Sequence, residues 1–209
     1  MAERYRTVAG RGEAQFVVRG SEFIGYVAPA DTVEEAEAFV EAIEERHPDA
    51  THNVPAYRVP AGEASSAARD ANVMLREWSS DDGEPTGSSG KPALNVLVQQ
   101  DLRNVVAVVT RYYGGTNLGV GGLARAYSRG VKEAVDDAGV VEERPHQHVV
   151  VETSYDDSGT VRGIVESTGF DFDADYEETV TFAVRVPVEE ADAFRDRLRS
   201  ATSGRVTIE

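Results

Sequence analysis

Residues 105–109, VVAVV, constrain this chain more than any other stretch. Five consecutive small or β-branched apolar residues leave no polar side for water. The run therefore fits a strand covered on both faces. It lies between two glycine-rich segments, DGEPTGSSGKP at 82–92 and RYYGGTNLGVGGL at 111–123. The second segment leads into a helical pattern after residues 119–122. Leu123, Tyr127, Val131, Ala134, Val135 and Ala138 share one face, and Gly139 supplies a stop. A strand, a glycine-rich turn and a helix start together make a phosphate cradle, because unpaired N–H groups and the positive helix end point the same way. Arg111 at the strand end and Arg125 at the helix start could both reach such an anion. No GK[ST] follows, so this is not a P-loop, and the glycine spacing is not a clean dinucleotide fingerprint. The same glycines could instead serve only tight turns and close packing.

Charge sharpens the question. The chain carries a formal net charge of −16, yet residues 91–135 hold six basic residues (Lys91, Arg103, Arg111, Arg125, Arg129, Lys132) against Asp101 and Glu133. A positive island on a negative chain points to a polyanionic ligand. Of the 21 basic residues only Lys91 and Lys132 are lysines, against 37 acidic residues. Dense carboxylates with scarce lysine suit a high-salt cytoplasm, such as that of a halophilic archaeon. At molar salt the Debye length is about 3 Å, so net charge then says little about partners. Cysteine is absent, which excludes disulfides and thiolate chemistry. No apolar run is long enough to span a bilayer. The first sixteen residues lack the apolar core of a signal peptide, so a cytoplasmic location is expected.

The rest of the first half reads as mixed α and β. Residues 14–18 and 23–28 look like strands around a Gly20 turn. Thr32 and Glu35 form a capping box for a helix over 33–46 that Pro48 ends. Residues 56–59 and 95–98 read as further short strands. Residues 142–147, EERPHQ, read as a linker. Beyond it, strands at 148–154, 170–177, 179–186 and 205–208 alternate with helices at 156–167 and 189–199, a βαββαβ order of the ferredoxin-like kind. That part carries six basic and fourteen acidic residues, so it is not the basic domain. The expectation is an α+β protein of two domains, 1–142 and 148–209.

Within the first glycine segment, Lys91 could bring charge to an anion held by turn N–H groups. Asp81, Asp82 and Glu84 could hold a magnesium-like ion, but three carboxylates without fixed spacing are a weak signal, and no metal or cofactor is expected. Tyr112 and Tyr113 could stack on bases, although strand alternation turns one of them inward. His52 is flanked by polar residues and could act as an acid or base. A hydrogen-bonded loop histidine is the plainer reading.

At these residues the chain resembles the IMPACT/YigZ family. The resemblance rests on DGEPTGSSGKPAL at 82–94 and VTRYYGGTNLGVGGLARAY at 109–127, with EFIGYVAP at 22–29 and HPDATHN at 47–53. Ser89 departs from the commoner small apolar residue. The resemblance implies a ribosomal-protein-like αβ sandwich, followed by a ferredoxin-like domain similar to the last domain of the translocating elongation factor. It implies association with nucleic acid or the ribosome, and a regulatory role in translation. The matching positions form a ligand surface of Asp82, Glu84, Lys91, Arg111, Gly114, Gly115, Gly121, Gly122 and Arg125, with Tyr112 beside it. A small enzyme acting on a phosphorylated metabolite or nucleotide, with His52 or a carboxylate as acid/base, is the alternative. The second domain could also contact a protein partner.

Overall fold

The VVAVV run lies in the middle strand of a five-stranded antiparallel sheet. The computed structural model describes residues 4–61 and 74–209, which form two compact units, 5–61 with 74–143 and 144–209. In chain order the first unit contains β1 (Tyr5–Val8), β2 (Gly12–Val18), β3 (Ser21–Pro29), α1 (Val33–Arg46) and β4 (His52–Pro60). It continues with β5 (Leu75–Ser79), α2 (Gly90–Gln99), β6 (Val105–Tyr112), α3 (Gly119–Ala138) and β7 (Val140–Glu143). The sheet order is β2-β3-β6-β4-β5, and β1 pairs separately with β7.

Alternation along β6 explains its composition. Val105, Ala107 and Val109 join the core beneath α2 and α3, while Val106 and Val108 join the residues packed under α1. Both faces are covered, so every position from 105 to 109 must be apolar. α1 begins as its sequence requires: the Glu35 N–H donates to the Thr32 hydroxyl, and Glu35 accepts from the Asp31 N–H. α3 lies close to the sheet. A Cβ at Gly25 on β3 would fall 2.1 Å from the Gly130 carbonyl oxygen, so these two backbones meet with no side chain between them.

Three local expectations are corrected. Residues 95–98 are not a strand but part of α2, where Ala93, Val96 and Leu97 are buried at helical spacing. A four-residue apolar run carries no period of its own, and Pro92 is tolerated in a first helical turn. Residues 142–147 are mostly strand: β7 runs to Glu143 and the next strand starts at His146, which leaves Arg144 and Pro145 where the two units divide. Pairing with β1 draws Val140–Glu143 into a ladder that the polar sequence does not announce. α3 begins at Gly119 and so contains Gly121 and Gly122, rather than following them.

The second unit contains β8 (His146–Thr153), α4 (Tyr155–Thr168), β9 (Phe172–Tyr176), β10 (Val180–Pro187), α5 (Ala191–Ala201) and β11 (Thr207–Ile208). This is the expected βαββαβ succession. Its antiparallel sheet has the order β11-β8-β10-β9. Val180, Phe182, Val184 and Val186 alternate onto one face, where they meet Val161, Val165, Phe194 and Leu198 of the helices. The chain is thus α+β with two domains.

Gly25→Ala drives a methyl group into the α3 backbone. We expect it to destabilise the protein by about 3 kcal/mol or more, read from the shift of its urea-unfolding midpoint. An unchanged midpoint would show that α3 can move off the sheet.

Candidate functional site

Register brings the central residues together. His52 opens β4 and lies directly opposite Arg111 near the end of β6, and Phe23 of β3 lies opposite Arg111 on the other side. Arg111 continues the parity of Val105, Ala107 and Val109, so it points to the α3 side of the sheet. There the residue is only 5% exposed. Nη1 donates to Glu84 Oε1 at 2.5 Å and Nη2 donates to the Ser21 hydroxyl at 3.2 Å. The rings of Phe23 and Tyr113 lie 5.5 and 5.3 Å from it. Arg111 therefore offers no free charge to bulk solvent.

Glu84 is equally enclosed. Its Oε1 also accepts from the Tyr127 hydroxyl at 2.8 Å. Burial, reinforced by the Glu84 charge, pushes the Tyr127 pKa far up, so this phenol stays protonated and donates. His52 gives its Nδ1–H to the Asp82 carbonyl oxygen at 2.5 Å. A carbonyl can only accept, so Nδ1 carries a proton, and Nε2 lies 3.9 Å from Glu84 Oε2. Arg111, Glu84 and His52 line a cleft of about 460 Å³ with Tyr113, Asn117 and the start of α3, Gly119–Val120. The arrangement sets the first-turn N–H groups of α3 beside the His52 imidazole.

The first glycine segment is used differently. Asp81 Oδ1 accepts from the Ser89 and Gly90 N–H groups and the Ser89 hydroxyl, and Oδ2 accepts from the Gly87 N–H. Partial burial works to raise the Asp81 pKa, but these hydrogen bonds outweigh it and hold the carboxyl below its ordinary range. The N–H groups expected to cradle an anion are thus spent on Asp81. Asp82 accepts from the Asn53 N–H at 2.6 Å. Positive φ at Asp82 (45°) and Gly83 (83°) forms the turn that carries Glu84 inward. The three carboxylates point to different partners, and among the described residues no group of three His, Asp or Glu side chains is placed to hold a metal ion.

The remaining expected residues separate. Lys91 is exposed in the first turn of α2 and does not line the cleft. Arg125 lies on the outer face of α3, in an open groove of about 560 Å³ with Ser128, Arg129 and Lys132. Tyr112 points to the opposite side of the sheet from Arg111. Its hydroxyl bonds His47 Nδ1 at 2.8 Å, and His47 Nε2 bonds Tyr26 at 2.7 Å. Burial, then the neighbouring Arg46, lowers the His47 pKa, so the ring is held neutral between two phenols. Gly114 is a packing glycine, since a Cβ there would strike the Gly20 carbonyl at 1.9 Å. Gly115 has φ 86°. Gly121 and Gly122 sit in the first turn of α3, and Gly121 lies against the Arg125 guanidinium. Sequence reasoning missed Ser21 and Asn117 altogether and assigned Tyr127 only to the core. The tyrosine spacing from Leu123 signalled burial but carried no hint that its hydroxyl reaches Glu84.

A two-domain α+β protein with this motif-bearing first domain defines a class, and comparison with known proteins identifies it. Residues 19–135 match the Impact N-terminal domain, and residues 151–205 match a domain of unknown function, DUF1949. The chain is 34% identical to the IMPACT family member YvyE of Bacillus subtilis, covering 100% of this chain and 91% of that protein. It is 32% identical to the IMPACT family member YigZ of Escherichia coli, covering 91% and 90%. A crystal structure of a hypothetical protein, 29% identical, superposes with a TM-score of 0.61 over 100% of this chain and 97% of the other. The chain belongs to the IMPACT family. Among the described residues no helix is long and apolar enough to cross a membrane.

Two outcomes follow for the buried charges. Removing Glu84 or Arg111 alone, as in Glu84→Ala, leaves an uncompensated buried partner and should cost about 3–5 kcal/mol in chemical denaturation. Because the Asp81 pKa is lowered on folding, its contribution is full above the unfolded value of about 3.9 and is lost as pH falls through the folded value. Asp81→Asn should therefore be less stable than wild type at neutral pH, with the gap narrowing on acidification below about pH 4. A gap that stays constant with pH would refute this role.

Proposed function

We propose that this protein is a cytoplasmic RNA- or ribosome-associated regulator of translation that binds a polyanion along the outer face of α3. The observation that carries this reading is the groove of Arg125, Arg129 and Lys132, all exposed, on a chain of net charge −16. Spacings of four and three residues stack these cations along one helix face, about 10 Å from first to last. Glu133 and Asp136 also line the groove, and Glu133 bridges Arg129 at 2.7 Å. That bridge is exposed, so a phosphate can displace it at little cost. Family membership supports a place near the translation machinery. Lys91 lies on another helix and extends the basic surface only if RNA reaches beyond the groove. Arg111, paired with Glu84, supports the fold of the surface and carries no phosphate from solvent.

Arg125→Ala and Lys132→Ala should each weaken single-stranded RNA binding and lower the slope of log K against log salt by about 0.7. Filter binding across a salt series reads both, and co-sedimentation with ribosomes should fall in parallel. Wild-type affinity and slope in both variants would sink the reading.

A further inference from the structure

We propose that the open edge of β9, in the second domain, is a docking site for an extended segment of another protein in which basic and apolar residues alternate. That segment adds to the sheet as a fifth strand. The proposal is independent of the RNA reading, which concerns the other domain.

β9 ends the sheet order β11-β8-β10-β9, so one side of it has no neighbouring strand. The ladder fixes which main-chain groups face that side. The Arg185 N–H donates to the Asp171 carbonyl oxygen at 2.9 Å, and the Glu177 N–H donates to the Thr179 carbonyl oxygen at 3.1 Å. Both pairs continue the β9–β10 register, in which Asp173 lies opposite Ala183 and Asp175 opposite Thr181. Hydrogen-bonded and non-hydrogen-bonded pairs alternate along an antiparallel ladder, so the odd residues from 171 to 177 bond toward β10. Phe172, Ala174 and Tyr176 turn their N–H and C=O groups to the open side, enough for about six main-chain hydrogen bonds to an added strand. Residues 173–176 are all exposed. β11, at the other edge, has only two residues.

Side chains choose the occupant. Phe172 and Tyr176 lie on the helix side, their rings 6.1 and 6.4 Å from that of Phe182, and Ala174 between them lies opposite Phe182. The Tyr176 hydroxyl accepts from Arg162 Nη1 at 3.2 Å, so this side already holds a cation. The other side carries Asp171, Asp173, Asp175 and Glu177, an exposed carboxylate at every second position. Across the ladder Asp173 and Asp175 meet only alanine and threonine, so no cation of β10 lies opposite them. A second copy of β9 would set these carboxylates against one another and is disfavoured. A strand with lysine or arginine at alternate positions sets a cation beside each of them, and its intervening apolar residues cover Ala174 and Tyr176.

The test applies NMR titration and amide hydrogen exchange to the full chain with the peptide VKVKVKV, and with VEVEVEV as control. Without peptide, the Phe172, Ala174 and Tyr176 amides should exchange fast, while those of Asp173 and Asp175 exchange slowly. VKVKVKV at saturation should slow the three fast amides by about tenfold or more, and VEVEVEV should not. Ala174→Pro removes an edge donor that β10 does not use, so the sheet should persist while affinity falls by about tenfold. Asp173→Asn with Asp175→Asn should weaken binding by about fivefold and flatten its salt dependence. Arg125→Ala and Lys132→Ala should leave peptide binding unchanged, whatever they do to RNA binding. Shifts spread over the acidic surface without protection of the three amides, equal binding of VEVEVEV, or wild-type affinity in the β9 variants would overturn the proposal. Protection that grows with protein concentration in the absence of peptide would overturn it in favour of a second copy.

Discussion

The first domain depends on one buried carboxylate. Moving Glu84 out of water costs several kcal/mol unless its charge and lone pairs are matched. Arg111 and Tyr127 match them, and the three groups come from three places: the turn before α2, the end of β6 and the interior of α3. Each must be in position for the others to be tolerated in the core. Through Ser21, Arg111 also fixes the β2–β3 turn, and the Ser21 hydroxyl in turn receives the Gly114 N–H. The glycine-rich loop after β6 is thus ordered from behind, by polar groups it does not contain.

The two glycine segments look alike as sequences and differ as structures. In the first, backbone donors converge inward on Asp81, which makes the loop a self-satisfied knot. In the second, glycines let β6 end against a neighbouring turn and let α3 start without a capping side chain. Donors of the first segment are closed to a ligand, and those of the second stay open. Composition cannot separate these cases, because both need φ > 0 and small residues.

Strong periods made much of the fold legible. The apolar run placed the central strand, the capping box placed α1 to the residue, and the second domain's succession followed from alternation in β10. What failed were short segments whose state is set by partners: α2, hidden in four apolar residues, and β7, recruited by β1. The site was legible as a region but not as an assembly. Sequence spacing grouped Arg111 with Arg125, yet strand parity buries the first and helix phase exposes the second. Tyr112 and Tyr113 part for the same reason. The pairing of His52 with Arg111 required the β4–β6 register, which no local pattern reports.

The contact between Gly25 and Gly130 has a mechanical consequence. Side chains at a helix–sheet contact can reorient and let a helix slide, whereas two touching backbones cannot. One turn further on, α3 meets β2 in the same way, for a Cβ at Gly12 would fall 2.2 Å from the Ala134 carbonyl oxygen. Nearer its start, the Tyr127 hydroxyl ties the helix to Glu84. α3 is thus held at three levels, and its seat on the sheet is fixed by backbone contact as much as by the choice of side chains.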